Sequence, residues 1–341
     1  MILKREELPN IPKANNFDFL RFVLACAVAC CHYYRMTGRP SLASPITSPT
    51  AVSGFFAISG FLIFMSFCNS QSFKEYLIKR VRRIFPAYIG IVIVAFLLFS
   101  LVSTLDWQDY FTSKDSLRYL LANLSFCNFL HPTLPGVLAD APYTDSINPS
   151  LWTLKIELAL YLCIPFIALL AVRNKVVLPL LTVAISILCY YLNWKADTTQ
   201  ILLYEKIGTI LYQSNMFIIG SCLFLFFDKI YPYRYYILIL SLALYPLKES
   251  GWPDIIFPFA LAGCIFGLAF TLSFLNNFGR IGDLSYGVYL FHAPIIQFFT
   301  AKGWNDEDRL PLVLAITFTL AFLSWHLMEK RILKRQRKQI K

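Results

Sequence analysis

Charge is scarce in this sequence, and negative charge scarcest. Of 341 residues only 20 are Asp or Glu, against 31 Lys or Arg, and the four types together make up 15% of the chain. Soluble domains carry about 25% charged residues, so this chain lacks the polar coat of a water-soluble fold. Spacing does not suggest a zinc site, because the nine cysteines include no CxxC pair and no Cys/His cluster of zinc type. All the cysteines but Cys127 fall inside apolar stretches, so small-residue packing is their expected role rather than a disulfide framework. There is also no low-complexity linker and no internal repeat. A cleavable signal peptide is not expected, since Arg21 interrupts the first apolar block early and further blocks follow.

What is abundant is hydrocarbon. Hydrophobic residues make up 57% of the chain and aromatics 16%, with a mean hydropathy of +0.57. Apolar blocks of transmembrane length recur at about 17–36, 51–69, 84–103, 150–171, 176–193, 207–227, 235–247, 255–275, 284–301 and 310–328. They predict an all-α integral membrane protein of about ten transmembrane helices, the seventh short and carrying Pro246.

Lys and Arg set the orientation. With the N-terminus inside, the cytoplasmic segments hold Lys4, Arg5, Lys13 and Arg21, the basic run from Lys74 to Arg83, and a tail from Lys330 to Lys341. The outside segments hold markedly fewer. Both termini are therefore expected in the cytoplasm. Residues 1–329 read as one membrane domain with a large extracytoplasmic loop at about 104–150, and 330–341 as a basic cytoplasmic tail. The net charge of +11 is mostly this inside bias, scattered on short loops, and does not make a nucleic-acid surface. The 104–150 loop is too long for a plain connector, and its stretch SLRYLLANLSFCNFL is amphipathic enough to lie on the membrane surface.

An ionisable residue inside a span is a functional-site hypothesis by default. Arg21 and His32 share the first span, FDFLRFVLACAVACCHYY. Eleven steps of about 100° bring them to within about 20° of one another around the helix, with a rise of about 16.5 Å. Arg21 then lies near the cytoplasmic surface and His32 roughly halfway across a core about 30 Å thick. Imidazole can take or give a proton near neutral pH, or accept an acyl group itself, while its bland role is a hydrogen bond between helices. Arg21 can attract an anion, hold a carboxylate, or simply snorkel to the boundary.

Other segments add to the set. Arg80 and Arg83, i,i+3 neighbours in KEYLIKRVRRIFPAY, can address one phosphate group, although any cytoplasmic loop is basic. Glu157, about two turns into NPSLWTLKIELALY, is costly unless paired, protonated or wet. It can orient His32, bind a sugar hydroxyl, or pair with an Arg or Lys155. Trp152 has the depth of an interfacial anchor. In FFAISGFLIF, Ser59 and Gly60 permit close helix packing. In LSYGVYLFHAPIIQ, Tyr286 precedes Tyr289 and His292, which can share a face.

These segments resemble those of the membrane acyltransferase-3 family, O-acyltransferases that decorate bacterial surface polysaccharides. FDFLR with His32 after ten intervening residues, FFAISGFLI, the Arg80-to-Arg83 pair leading to IFPAY, NPSLWTLKIE and LSYGVYLFHAPI run in the family's order from residue 17 to about 296. The resemblance implies ten transmembrane helices in the bacterial cytoplasmic (inner) membrane and transfer of an acyl group, usually acetyl from acetyl-CoA. It implies catalytic roles for Arg21, His32 and Glu157, and acyl-CoA contacts at Arg80 and Arg83 with Arg21 near the pantetheine. Ser59, Trp152, Tyr286 and His292 stand as acceptor-side or supporting residues. No metal and no permanently bound cofactor is implied. One departure concerns the aspartate that many members carry just before the FF of the second span; here the sequence is AVSGFF, with Ser53 and Gly54. The resemblance is to the form without an attached SGNH esterase-like domain.

The expected reaction takes acyl-CoA from the cytoplasm and delivers the acyl group to a hydroxyl of a lipid-linked glycan or surface polysaccharide, as in O-antigen or exopolysaccharide modification. His32 serves as general base or transient acyl carrier. The alternatives are a permease for a lipid-linked sugar or small anion, which midplane polar residues also suit, and a structural subunit in which Arg, His and Glu merely pair helices.

Overall fold

The computed structural model describes residues 8–40, 44–246, 253–304 and 308–333, and all their regular structure is helical. The tail beyond 333 lies outside the described residues. The helices in chain order are α1 Phe17–Met36, α2 Ser48–Cys68, α3 Phe73–Phe99, α4 Trp107–Thr112, α5 Lys114–Leu124 and α6 Trp152–Arg173. There follow α7 Val177–Thr199, α8 Leu202–Leu225, α9 Phe227–Ile230, α10 Arg234–Leu244, α11 Pro253–Thr271, α12 Ser285–Ala301 and α13 Leu310–Ser324. A π-helical turn, Trp325–Glu329, continues α13.

Each of the ten apolar blocks carries a helix. Among the described residues, seven are long and apolar enough to cross a membrane. An eighth, Ile255–Thr271 continued by Ser273–Arg280, is bent by 76° at its break. The remaining two are shorter, α10 with 11 residues and α12 with 17. The helices form two compact units. The first comprises Met1–Arg21, Pro49–Leu77 and Ile156–Arg280, and the second Phe22–Ser48, Ile78–Lys155 and Ile281–Lys341.

In the first unit the usual amphipathic rule is reversed. Helix α7 buries Thr182 and Ser186 and exposes Leu180, Val183, Ile187 and Leu188. Asn215 of α8 donates to the Ser186 hydroxyl at 2.8 Å. Polar groups inward and leucines outward suit hydrocarbon as solvent, where unsatisfied polar groups are the expensive ones. Helices α2 and α8 touch backbone to backbone: a Cβ at Gly60 would overlap the Phe217 carbonyl, and one at Gly220 the Ala57 carbonyl. Gly60 thus has the packing role its size suggests. Pro165 inside α6 cannot donate to the carbonyl four residues earlier, that of Tyr161. The Tyr76 hydroxyl from α3 supplies the missing donor at 3.2 Å. Asn16 Nδ2 donates to the Leu268 carbonyl in the last turn of α11 and to the Leu272 carbonyl just beyond it.

The second unit contains the 104–150 segment, which folds rather than loops. Tyr110, Tyr119, Leu134, Val137, Leu138 and Ile147 pack with Ala95, Phe96 and Phe99 of α3 into a core. The amphipathic stretch forms α5, with Tyr119 buried and Leu117 and Leu121 exposed. The same proline device recurs in α12. Pro294 leaves the Leu290 carbonyl without its helical partner, and Asn148 Nδ2 donates to it at 3.0 Å. Gln297, fully buried, donates to the Tyr143 and Ser146 carbonyls at 3.1 and 2.8 Å. Residues 143–148 are thereby fastened along α12. Gly287 of α12 lies against Ala321 of α13, where a Cβ would meet the Ala321 side chain.

Candidate active site

His32 lies in the second unit, on the single unbroken helix α1 that also carries Arg21. Its Nδ1 is 2.9 Å from Nε2 of His292 on α12, and the ring centroids are 5.1 Å apart. His292 is fully buried, and its other nitrogen, Nδ1, is 2.9 Å from the Val288 carbonyl. A carbonyl only accepts, so in the neutral pair Nδ1 of His292 carries the hydrogen and Nε2 offers its lone pair. Nδ1 of His32 must then be the donor to it. This leaves the lone pair of His32 on Nε2, and that atom faces Ser48 Oγ at 3.3 Å. His32 and Ser48 are half-buried whereas His292 is sealed, so the chain runs from a buried anchor to an accessible base.

The segment NPSLWT supports this pair from one side. Asn148 holds the Leu290 carbonyl, Ser150 Oγ stands 3.4 Å from His292 Nε2, and the Thr153 hydroxyl shares a 2.8 Å hydrogen bond with Tyr289. Tyr289 is thus tied to Thr153 while its ring packs edge-on to His292. Trp152 opens α6 half-buried.

Glu157 belongs to the first unit, where its Oε1 accepts from Ser59 Oγ at 2.9 Å and from the Tyr161 hydroxyl. Ser59 therefore serves hydrogen bonding rather than close packing. Lys155, a candidate partner for Glu157, instead donates to Asn128 Oδ1 at 3.3 Å and sits over the Phe129 ring.

Arg83 is clamped in the second unit. Its two terminal nitrogens bond Asp283 at 2.5 Å and Glu329 at 2.6 Å, and the guanidinium lies over the rings of Tyr286 and Trp325. The Tyr286 hydroxyl donates to the Ile84 carbonyl at 2.8 Å, which fixes that ring. The π-helical turn carries Glu329, 1% exposed, on its last residue. Arg80 lies half-buried one turn earlier on α3. Arg21 pairs with Asp18 on its own helix.

Four residues of the His32 group had no separate signal in the sequence. Asn148, Ser150 and Thr153 sit in a segment that was singled out for Trp152 and Glu157. Ser48 follows His32 by 16 positions and lies on a different helix, so no helical period links them.

Comparison with known proteins identifies the family. The profile of the acyltransferase-3 family, described as an acyltransferase domain, matches residues 15–329. An O-acetyl transferase of Shigella phage Sf6 is 27% identical, over 95% of this chain and 97% of its own length. Nodulation protein 10 of Rhizobium leguminosarum bv. viciae is 26% identical, over 94% of this chain and 93% of its own. No solved structure gives a significant match. This chain belongs to the acyltransferase-3 family and is a multi-pass membrane acyltransferase.

Proposed function

We propose that the protein moves an acetyl group from cytoplasmic acetyl-CoA to a sugar hydroxyl of a lipid-linked glycan or surface polysaccharide across the bacterial inner membrane. His32 is its base. The observation that carries this reading is the 2.9 Å bond between His32 Nδ1 and His292 Nε2, which directs the lone pair of His32 to Nε2. A base with its tautomer fixed is what O-acyl transfer needs, because a hydroxyl becomes a useful nucleophile only as its proton is removed. His292 stands where a carboxylate commonly does, which accommodates the absence of an acid before FF in the second span.

The donor side is read from charge. Arg21 and Arg80 lie in segments that the positive-inside bias assigns to the cytoplasm, where they attract the phosphates of CoA. Arg83, expected beside Arg80 at the phosphates, has a positioning role instead, since Asp283 and Glu329 hold it by two bonds. Glu157, with its Ser59 and Tyr161 hydroxyls, offers a polar group for an acceptor sugar. The O-acetyl transferase relative supports acetyl as the group moved.

Replacing His32 by Ala tests the reading. Loss of a positioned base should lower transfer by roughly 10²–10⁴ in protein that still inserts and melts like the parent. Transfer at the parental rate, or movement of a glycan without thioester consumption, would sink it.

A further inference from the structure

The hydroxyl nearest the base belongs to the protein itself. Ser48 Oγ lies 3.3 Å from His32 Nε2, and His32 Nδ1 lies 2.9 Å from His292 Nε2. A serine, a histidine and a buried group that orients the histidine form the arrangement that activates a serine nucleophile, recognised by geometry and roles rather than by sequence order. Separations slightly beyond ideal are ordinary before substrate binds. A serine at the start of a helix commonly caps it; here the hydroxyl of the first residue of α2 turns to the imidazole instead. The preceding segment is tethered to α1, with Cys31 Sγ 3.8 Å from the Ile46 carbonyl, which helps hold Ser48 in register. Ser48 is half-buried, so a thioester can reach it.

We propose that Ser48 carries the acyl group covalently between donor and acceptor. This inference rests on His32 acting as the base. In the first half-reaction Ser48 Oγ attacks the thioester carbonyl while His32 Nε2 takes the hydroxyl proton. The new O–C bond forms, the C–S bond breaks, and His32 returns the proton to the departing CoA sulfur. In the second half-reaction an acceptor hydroxyl attacks the acyl-serine ester and gives its proton to His32. The Ser48–acyl bond breaks, and Ser48 recovers a proton from His32. No oxidant, reductant or further reactant is consumed. The design suits transfer across a membrane, since donor and acceptor need never be bound together.

Three measurements on the full-length protein in detergent or liposomes test this. An acyl-enzyme lets radiolabelled CoA exchange into acetyl-CoA in the absence of any acceptor, whereas direct transfer forbids exchange. Peptide mapping of protein trapped with acetyl-CoA should place one acetyl group on Ser48. Ser48→Ala should abolish both signals, while Ser48→Cys should restore labelling as a thioester cleaved by hydroxylamine. Absence of exchange in a wild-type preparation that transfers acetyl to glycan would overturn the inference. So would a label on His32, or parental transfer by Ser48→Ala. In each of those cases a dead His32→Ala variant leaves the proposed function standing; if His32→Ala also transfers normally, that reading falls with it.

Discussion

Replacing His292 separates hydrogen-bond control of the base from mere packing. His292 is fully buried and accepts from His32 Nδ1 at 2.9 Å, so its nitrogen selects the tautomer of the base. Leu at this position removes the acceptor while roughly filling the space. A buried hydrogen bond of this kind biases the tautomer by about 1–3 kcal/mol. At about 1.4 kcal/mol per factor of ten, the ratio of the two His32 tautomers shifts roughly 5- to 150-fold against the form with its lone pair on Nε2, which leaves the two comparably populated. The turnover number should fall by about twofold or more as the competent share drops, with little change in KM for acetyl-CoA, because the tautomer acts in the transition state and not in donor binding. His292→Gln places an amide oxygen near the former Nε2 and should recover most of the loss. The assay is initial-rate acetyl transfer in liposomes, with thermal unfolding in detergent as the control for folding. Equal losses in the Leu and Gln variants would show that His292 acts by shape alone. Parental turnover in the Leu variant would refute the tautomer argument outright.

Two further outcomes concern the scaffold. Asn148→Ala leaves the Leu290 carbonyl without its donor and should destabilise by about 1–3 kcal/mol, read as a lower melting temperature. Adding Pro294→Ala restores a backbone N–H four residues on, so the Asn148→Ala cost should largely vanish in that background; additive losses would refute the account. Arg83→Leu strands the buried Glu329 and its neighbour Asp283, and should cost roughly 2–4 kcal/mol. Arg83→Lys should cost less, since it keeps the charge but not the two-pronged geometry. A melting temperature unchanged by Arg83→Leu would show that the clamp is not a stabilising contact.

Much of the helix inventory was legible before any coordinates. Hydrocarbon offers no partner for backbone N–H and C=O groups, so a long apolar run has little choice but to be helical. The blocks at 17–36 and 150–171 appear as α1 and the Pro149–Arg173 span with ends shifted by two residues at most. Lengths were less legible. Block 235–247 became an 11-residue helix, and block 255–275 acquired a sharp bend, because hydropathy records composition and not where a helix breaks.

The site was legible as a cast of residues but not as pairs. Helical spacing foretold that Tyr289 and His292 share a turn, yet Tyr289 bonds Thr153 while His292 meets His32. Ser59 reads as a small packing residue beside Gly60, but only Gly60 packs that way; Ser59 faces Glu157. The reason is common to both. A side chain's partner on another helix depends on rotation and depth of two elements, which one element's period does not contain.

By itself, then, the sequence determined that this chain is a helical membrane protein and that Arg21 and His32 stand about 16.5 Å apart along one helix, since both follow from solvent and helix geometry. The tertiary structure decided what His32 can do. His292 is separated from it by 260 positions. Their meeting depends on α12, whose proline-freed Leu290 carbonyl is satisfied by a side chain from NPSLWT. Only that packing sets the proton on one nitrogen of His32 and turns the other toward a serine.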